Sequence, residues 1–347
     1  MRLRTDLLAL LLLVAAAAPL AAGEAERAYD RGLRLQRAGR LKEAIAAYEQ
    51  AIKADPRAVA PYVGRGTANA ALGRHETAIK DYDQAIRLDP KLPDAYFNRG
   101  NAYDELRQYE RAIRDYDQAI RLDPKLAAAH VNRGLAYYKL GRLDRAIESY
   151  DEAIRINPRL ADAYFNRGNA HYVEKRYEAA LRDYEQVVKL NPKYPRIYVQ
   201  RGNAWIGLGR FDRAVQEFDR AEKSEPKNAE LYHQRALAHR RLGKHEQAVR
   251  DYTEAIKLEP KNAEAYNNRA NAYSLLGKFD QALRDYETAI KLEPKNGRIY
   301  ANRGMVRLRQ GKTEEGMQDL KRAVELDPAL KEPIEAATGQ ARSPGVK

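Results

Sequence analysis

The chain has 347 residues, 62 of them basic and 49 acidic, for a formal charge of +13, and it contains no cysteine. The missing cysteine excludes disulfides, thiol nucleophiles and zinc–thiolate sites. Much of the basic excess lies in columns expected to face solvent, interleaved with acids, and reads as a solvated face. Attraction to an anionic surface such as lipid headgroups is the alternative, and no nucleic acid is expected because no recognition motif is present.

The first predicted element is a leader. Met1-Arg2-Leu3-Arg4 is a short basic start, Leu7 to Ala18 is an apolar core, and Pro19 to Gly23 supplies small residues for cleavage after Ala22 or Gly23. That is the layout of a secretory signal peptide over residues 1–22. The apolar run falls short of the ~20 residues of a spanning helix, which leaves an uncleaved membrane anchor as the second reading. Export is therefore expected, to a periplasm or by secretion, and a cysteine-free chain suits a bacterial periplasm.

From residue 23 to 328 the chain repeats itself. Pro56, Pro90, Pro124, Pro158, Pro192, Pro226, Pro260, Pro294 and Pro328 fall 34 residues apart and close nine repeats. A repeat of this size cannot close its own core and must bury its apolar face against its neighbours. Each is predicted to hold two amphipathic helices: after Pro93, residues Tyr96, Tyr103, Leu106, Ile113, Tyr116 and Ile120 recur at helical spacing. The break between helices falls at Gly141-Arg142, Gly209-Arg210 and Gly277-Lys278, where glycine suits a left-handed helix end, and at Arg107-Gln108 and Lys175-Arg176 without glycine. The proline after Asp89, Asn157 or Glu259 ends the second helix.

Single positions recur at the same period. Tyr62, Tyr96, Tyr164, Tyr198, Tyr232 and Tyr266 form one column; Gly66, Gly100, Gly134, Gly168 and Gly202 a second; Ala78, Ala112, Ala146, Ala214 and Ala248 a third; Tyr82, Tyr116 and Tyr150 a fourth. With the prolines, these columns resemble the tetratricopeptide repeat of exported bacterial proteins, with Ala28 and His130 standing in for tyrosine in repeats one and four. The resemblance implies an all-α, right-handed superhelical solenoid of nine 34-residue helix-turn-helix repeats. A glycine inside a helix costs about 1 kcal/mol relative to alanine. Close approach of the two helices of a repeat is expected to offset it, with Tyr82, Tyr116, Tyr184, Tyr252 and Tyr286 filling the space between successive repeats.

Every repeat carries an arginine, from Arg31 to Arg303, and an acid follows sixteen residues later in most. Interhelical ion pairs are expected between Arg65 and Asp81, Arg99 and Asp115, Arg167 and Asp183, Arg235 and Asp251, and Arg269 and Asp285. An arginine row that reads anionic ligands is the alternative. Ala47 and Ser149 break the acid column, so Arg31 and Arg133 need other partners.

No catalytic constellation, metal site or cofactor motif stands out, and the histidines replace aromatic residues of the repeat columns. The resemblance implies that the first helix of each repeat lines a concave groove. Those helices carry Asn98, Asn132, Asn166, Gln200 and Asn268 in one amide column, and Asn101, Asn169, Asn203 and Asn271 in another. Primary amides pair with the main chain of an extended peptide; bonding to the neighbouring repeat is the alternative. Phe97, Val131, Phe165 and Val199, with Leu135, Tyr138, Tyr172 and Ile206 one turn on, are expected to form an apolar strip beside the amides. Further along, His233, Arg240, Arg241, Asn267 and Arg309 make the same surface polar, so a segment apolar in its middle and acidic at one end would fit.

The expected function is a non-enzymatic scaffold or adaptor that holds an extended peptide segment of a partner protein, in envelope or complex assembly. A self-associating structural protein, or a scaffold on an anionic membrane surface, is the second reading. After Pro328 a short capping helix is expected over 329–338 and a disordered tail over 339–347. An exposed apolar edge near Leu320, Val324 and Ile334 would serve weak self-association.

Overall fold

The computed structural model describes residues 23–341; the expected leader at 1–22 and the end of the tail at 342–347 lie outside the described residues. All regular elements among the described residues are helices. The chain divides into two compact units between Glu174 and Lys175. The first holds α1 (23–37), α2 (Leu41–Ala54), α3 (Val59–Ala71), α4 (His75–Leu88), α5 (Pro93–Glu105), α6 (Tyr109–Leu122), α7 (Ala127–Lys139), α8 (Leu143–Ile156) and α9 (Ala161–Val173). The second holds α10 (Tyr177–Leu190), α11 (Ile197–Gly207), α12 (Phe211–Ser224), α13 (Ala229–Arg241), α14 (His245–Leu258), α15 (Ala263–Leu275), α16 (Phe279–Leu292), α17 (Gly297–Arg309), α18 (Thr313–Leu326), a 3-10 turn (Pro328–Leu330) and α19 (Lys331–Ala341). Odd-numbered helices up to α17 open a repeat, and even-numbered helices close it.

The turn inside each repeat is closed by a left-handed residue. Gly39, Gly73, Gly141, Gly209, Gly243, Gly277 and Gly311 have φ between 69° and 78° and open space where a side chain would start. Arg107 (φ 58°) and Lys175 (φ 61°) adopt the same conformation with a Cβ, at about 1–2 kcal/mol each. The loop between repeats is built in two ways. Asp55, Asp89, Asp123, Asn157 and Asn191 accept the backbone N–H two residues on. Where glutamate precedes the proline, its longer side chain instead accepts from Asn228, Asn262 or Asn296, whose own Oδ1 caps the next helix.

The glycine and tyrosine columns are one packing device. A Cβ on Gly134 would lie 2.5 Å from Cε1 of Tyr150, and one on Gly66 2.7 Å from Cε1 of Tyr82. Tyr48, Tyr82, Tyr116, Tyr150, Tyr252 and Tyr286 are fully buried. Each ring lies over the glycine or alanine of its own repeat, and Tyr82, Tyr116 and Tyr252 also meet Ala102, Ala136 and Ala272 of the next. These tyrosines therefore fill space within a repeat as well as between repeats. Tyrosines at the start of first helices use a different end: the hydroxyls of Tyr62, Tyr198, Tyr232 and Tyr300 donate to the carbonyls of Pro56, Pro192, Pro226 and Pro294. His130 reaches the Pro124 carbonyl at 3.3 Å with Nε2, which is why an imidazole replaces the phenol there.

Two expectations about the end of the array need correction. The terminal helix begins at Lys331 and runs to Ala341, past the 338 boundary, with Pro333 in its first turn where the missing N–H is harmless. Leu320 is only 2% exposed, filling the space beside Gly304, so it contributes no apolar edge.

Candidate protein-binding face

The arginine column staples three helices together. Within a repeat, Arg65, Arg99, Arg235, Arg269 and Arg303 reach Asp81, Asp115, Asp251, Asp285 and Asp319 at 2.6–2.8 Å. Arg201 reaches Glu217 at 3.3 Å. Arg167 lies in the first unit and Asp183 in the second; in its own unit Arg167 pairs with Asp151 at 2.5 Å. That contact belongs to a second acid column that the sixteen-residue spacing alone did not reveal. Arg99, Arg133 and Arg235 also reach back to Asp83, Asp117 and Asp219 on the second helix of the preceding repeat.

The motif Asp-Tyr-Asp, at 81–83 and 115–117, is the sequence trace of this device. The first acid faces its own arginine, the tyrosine enters the core, and the second acid faces the next repeat. Arg133, which has Ser149 in place of the first acid, bonds that hydroxyl at 3.2 Å and keeps Asp117. The guanidiniums of Arg65, Arg99, Arg167, Arg235, Arg269 and Arg303 also lie 5.5–5.8 Å from the ring centres of the tyrosines three residues earlier. Burial pushes the carboxyls of Asp115 and Asp251 up despite their arginines. Arginines committed in this way are packing elements, not ligand readers.

One histidine beside the array is acid-sensitive. Burial first, then Arg235 and Lys244, lower the His239 imidazole to about 4; Asp251 is 3.6 Å away but held by Arg235, while Asp219 and Arg250 act more weakly. The unfolded imidazole titrates near ~6.5, so the unfolded chain binds more protons between these values. Stability from this site is present above the unfolded value and lost as pH falls toward 4. The urea midpoint should fall between pH 7 and 4.5. His239→Tyr, which restores the residue type of Tyr103, Tyr137 and Tyr273, should flatten that slope, leaving the share of His130 and His233, which burial also lowers.

The accessible surface of the first helices is a separate set of columns. Successive first helices touch, α3 with α5, α5 with α7 and α7 with α9 in the first unit, α11 with α13 and α15 with α17 in the second; among the described residues no two second helices of the same unit come into comparable contact. Between α5 and α7 lies a cleft of about 430 Å³ lined by Asn101, Asp104, Glu105, Tyr116, Asn132, Leu135 and Lys139. At its floor Tyr116 donates to Oδ1 of Asn101 at 2.9 Å, and Nδ2 of Asn132 donates to the same oxygen at 2.8 Å. Lys139 closes one side on Asp104 at 2.6 Å.

A cleft of about 360 Å³ in the second unit repeats this register with Asn271, Ser274, Leu275, Tyr286, Asn302, Met305 and Arg309, joined by Arg240 and Val306. Tyr286 donates to Asn271 at 2.7 Å, and Asn302 to Asn267 at 3.0 Å. The amides thus do both things at once: they bond to the neighbouring repeat and border an open cleft.

The expected site residues separate accordingly. Asn101, Asn132, Leu135 and Asn271 line the two clefts. Val199 does not belong to any groove: it is fully buried against Phe218 and Leu231, because that column packs toward the core. Phe97 is half-buried for the same reason, its ring centre 6.0 Å from that of Tyr116. Asn203 donates to Glu230 at 3.4 Å, and Ile206 packs against the core. Asn98, Val131, Tyr138, Phe165, Asn166, Asn169, Tyr172, Gln200 and Asn268 are half-buried on first helices and line neither cleft.

A column that sequence reasoning reached only at Arg241 and Arg309 holds Glu105, Lys139, Val173, Gly207, Arg241, Leu275 and Arg309, exposed in every repeat. Val173 is 51% and Leu275 53% exposed. Its signal was its variety: positions fixed by packing repeat their residue, and this one does not.

The family described as "TPR repeat" matches residues 32–73, 66–106, 105–141, 134–173 and 238–277, and the related "Tetratricopeptide repeat" descriptions match 161–194, 195–228, 263–296 and 297–330. The chain belongs to the tetratricopeptide repeat family. Its fold is similar to that of the C-terminal part of a TPR repeat-containing protein from Cytophaga hutchinsonii, with TM-score 0.59 and 19% identity over 68% of this chain and 97% of that one. A tetratricopeptide repeat protein from Parabacteroides merdae gives TM-score 0.53 and 20% identity over 72% and 99%. The Pseudomonas aeruginosa protein pilF gives 0.54 and 17% over 61% and 96%. At these identities the likeness is one of fold. No curated protein matches the chain. As a tetratricopeptide repeat protein the chain is a protein-interaction scaffold with protein or peptide partners, and members of this family are generally non-enzymatic.

Proposed function

We propose that the first-helix face of each unit holds an extended peptide segment of a partner protein, with the asparagine side chains meeting its main chain. The observation that carries this reading is the recurrence of one cleft, an amide pair over a buried tyrosine, at Asn101/Tyr116/Asn132 and again at Asn271/Tyr286/Asn302. In each, the tyrosine hydroxyl occupies the Oδ1 of the first asparagine, while its Nδ2 bonds no protein atom among the described residues. That leaves a pair of N–H donors at the cleft, suited to peptide carbonyls and indifferent to side-chain identity. Assembly work outside the cytoplasm is part of the proposal, supported by the leader-like residues 1–22.

A peptide partner captured by the mature chain should bind at least tenfold more weakly to Asn101→Ala/Asn271→Ala, by calorimetry, with the circular dichroism spectrum unchanged. Equal affinity in that variant would remove the amides from the function.

A further inference from the structure

The two clefts share a register but differ in charge. In the first unit the wall carries Asp104 and Glu105, and its cation, Lys139, is neutralised by Asp104. At the corresponding places the second unit has Ser274 and Leu275, and no carboxylate lines the cleft at all. Its charged groups are two guanidiniums, Arg240 from α13 and Arg309 from α17, on either side of Asn271 and Asn302. Neither arginine belongs to the stapling column, and neither forms an ion pair among the described residues. Nε of Arg240 is shielded from solvent without a hydrogen-bond partner. Both guanidiniums also act on the buried Tyr286 hydroxyl, opposing the upward push of its burial. The half-buried Arg240 guanidinium, with no acid beside it, is costly to keep, whereas every stapling arginine from Arg65 to Arg303 meets an acid.

We propose that the cleft between α13, α15 and α17 is a carboxylate-recognition subsite, in which Arg240 and Arg309 receive the side chain of an aspartate or glutamate in the bound segment. The inference rests on the peptide-binding reading above and adds a chemical class to it. Guanidinium forks match a carboxylate with two parallel N–H···O bonds, and the free Nδ2 of Asn271 supplies a further donor to the adjoining main chain. The matching cleft of the first unit, with its acidic wall, repels the same side chain.

The test uses three synthetic hexapeptides of glutamate, glutamine and lysine, each N-acetylated and C-amidated so that no terminal carboxylate takes part, titrated by calorimetry into the chain at fixed ionic strength. Hexaglutamate should bind at least tenfold more tightly than hexaglutamine, and hexalysine should not bind this cleft. Arg240→Gln/Arg309→Gln should abolish the preference for glutamate. Lys261→Gln/Lys295→Gln, which removes equal charge from exposed loops, should preserve it. Equal losses in the two variants would reduce the effect to net charge and overturn the subsite. If hexaglutamine and hexaglutamate bind alike and both are lost in Asn271→Ala/Asn302→Ala, the peptide reading stands and the carboxylate subsite falls. If none of the three peptides binds, and hexaglutamine with a free carboxyl terminus does not bind either, both fall. A free carboxyl terminus as the true ligand would show as tight binding of the non-amidated hexaglutamine peptide alone, which also overturns the side-chain assignment.

Discussion

Arg235→Ala should destabilise the second unit by about 3–5 kcal/mol, the range for removing one partner of a buried ion pair. The side chain is 10% exposed and holds Asp251 at 2.8 Å, itself 9% exposed, together with Asp219 at 2.8 Å and Glu222 at 2.7 Å. Truncation leaves the Asp251 carboxylate buried without a counter-charge and unfastens α12, α13 and α14 from one another. In a repeat array each interface is held by its neighbours only, so the loss should appear as an early, separate transition in urea.

Its pH dependence has a definite sign. Burial already raises the Asp251 carboxyl, and without Arg235 it rises further. A carboxyl raised above its unfolded value favours the fold only while protonated, so the variant should recover part of its loss as pH falls from neutral toward the ordinary carboxyl range. Arg235→Leu/Asp251→Leu should recover most of it at neutral pH. A urea midpoint for Arg235→Ala within error of the parent would show that the staple contributes nothing.

Gly134→Val should cost about 3 kcal/mol, at the upper end of the range for overpacking a full core. Its Cβ would lie 2.5, 2.8 and 2.9 Å from three ring atoms of Tyr150, which has no exposed surface and no room to withdraw. Two repeats show how far the site can yield, since Ala236 and Ala270 occupy the same column, fully buried, over Tyr252 and Tyr286. One methyl is therefore absorbed by a small shift of the helix pair. Gly134→Ala should cost less than about 1 kcal/mol, because alanine's helix preference offsets part of the crowding. Thermal unfolding of the three proteins should rank Gly134 and Ala close together and Val far below, and Gly134→Val/Tyr150→Leu should restore part of the loss. A valine variant as stable as the alanine one would mean that the ring does not hold the helices at this spacing.

The first-helix face was legible in part. Asn101, Asn132 and Asn271 could be placed there because an amide recurring at one helical position must lie on one side of every first helix. Val199 misled because a column that is half-buried at Phe97 and Val131 becomes core on α11, where it packs against Phe218 and Leu231. The acids Asp83, Asp117 and Asp219 were overlooked because their partners sit in the following repeat, and a spacing read inside one repeat cannot show a contact that crosses into the next.

Read without any coordinates, the chain already specifies its period, its helix pairs, the glycine that closes seven of its nine turns and the tyrosine that fills most of its cores. These follow from local preference and from a pattern repeated nine times, in which every copy must solve the same packing problem. Which polar side chains remain available to a partner was decided by tertiary structure. That depends on which of several nearby charges an arginine reaches first, and on how closely two helices approach. Arg235 and Arg240 lie five residues apart on α13, yet one is enclosed by three carboxylates while the other borders an open cleft with none.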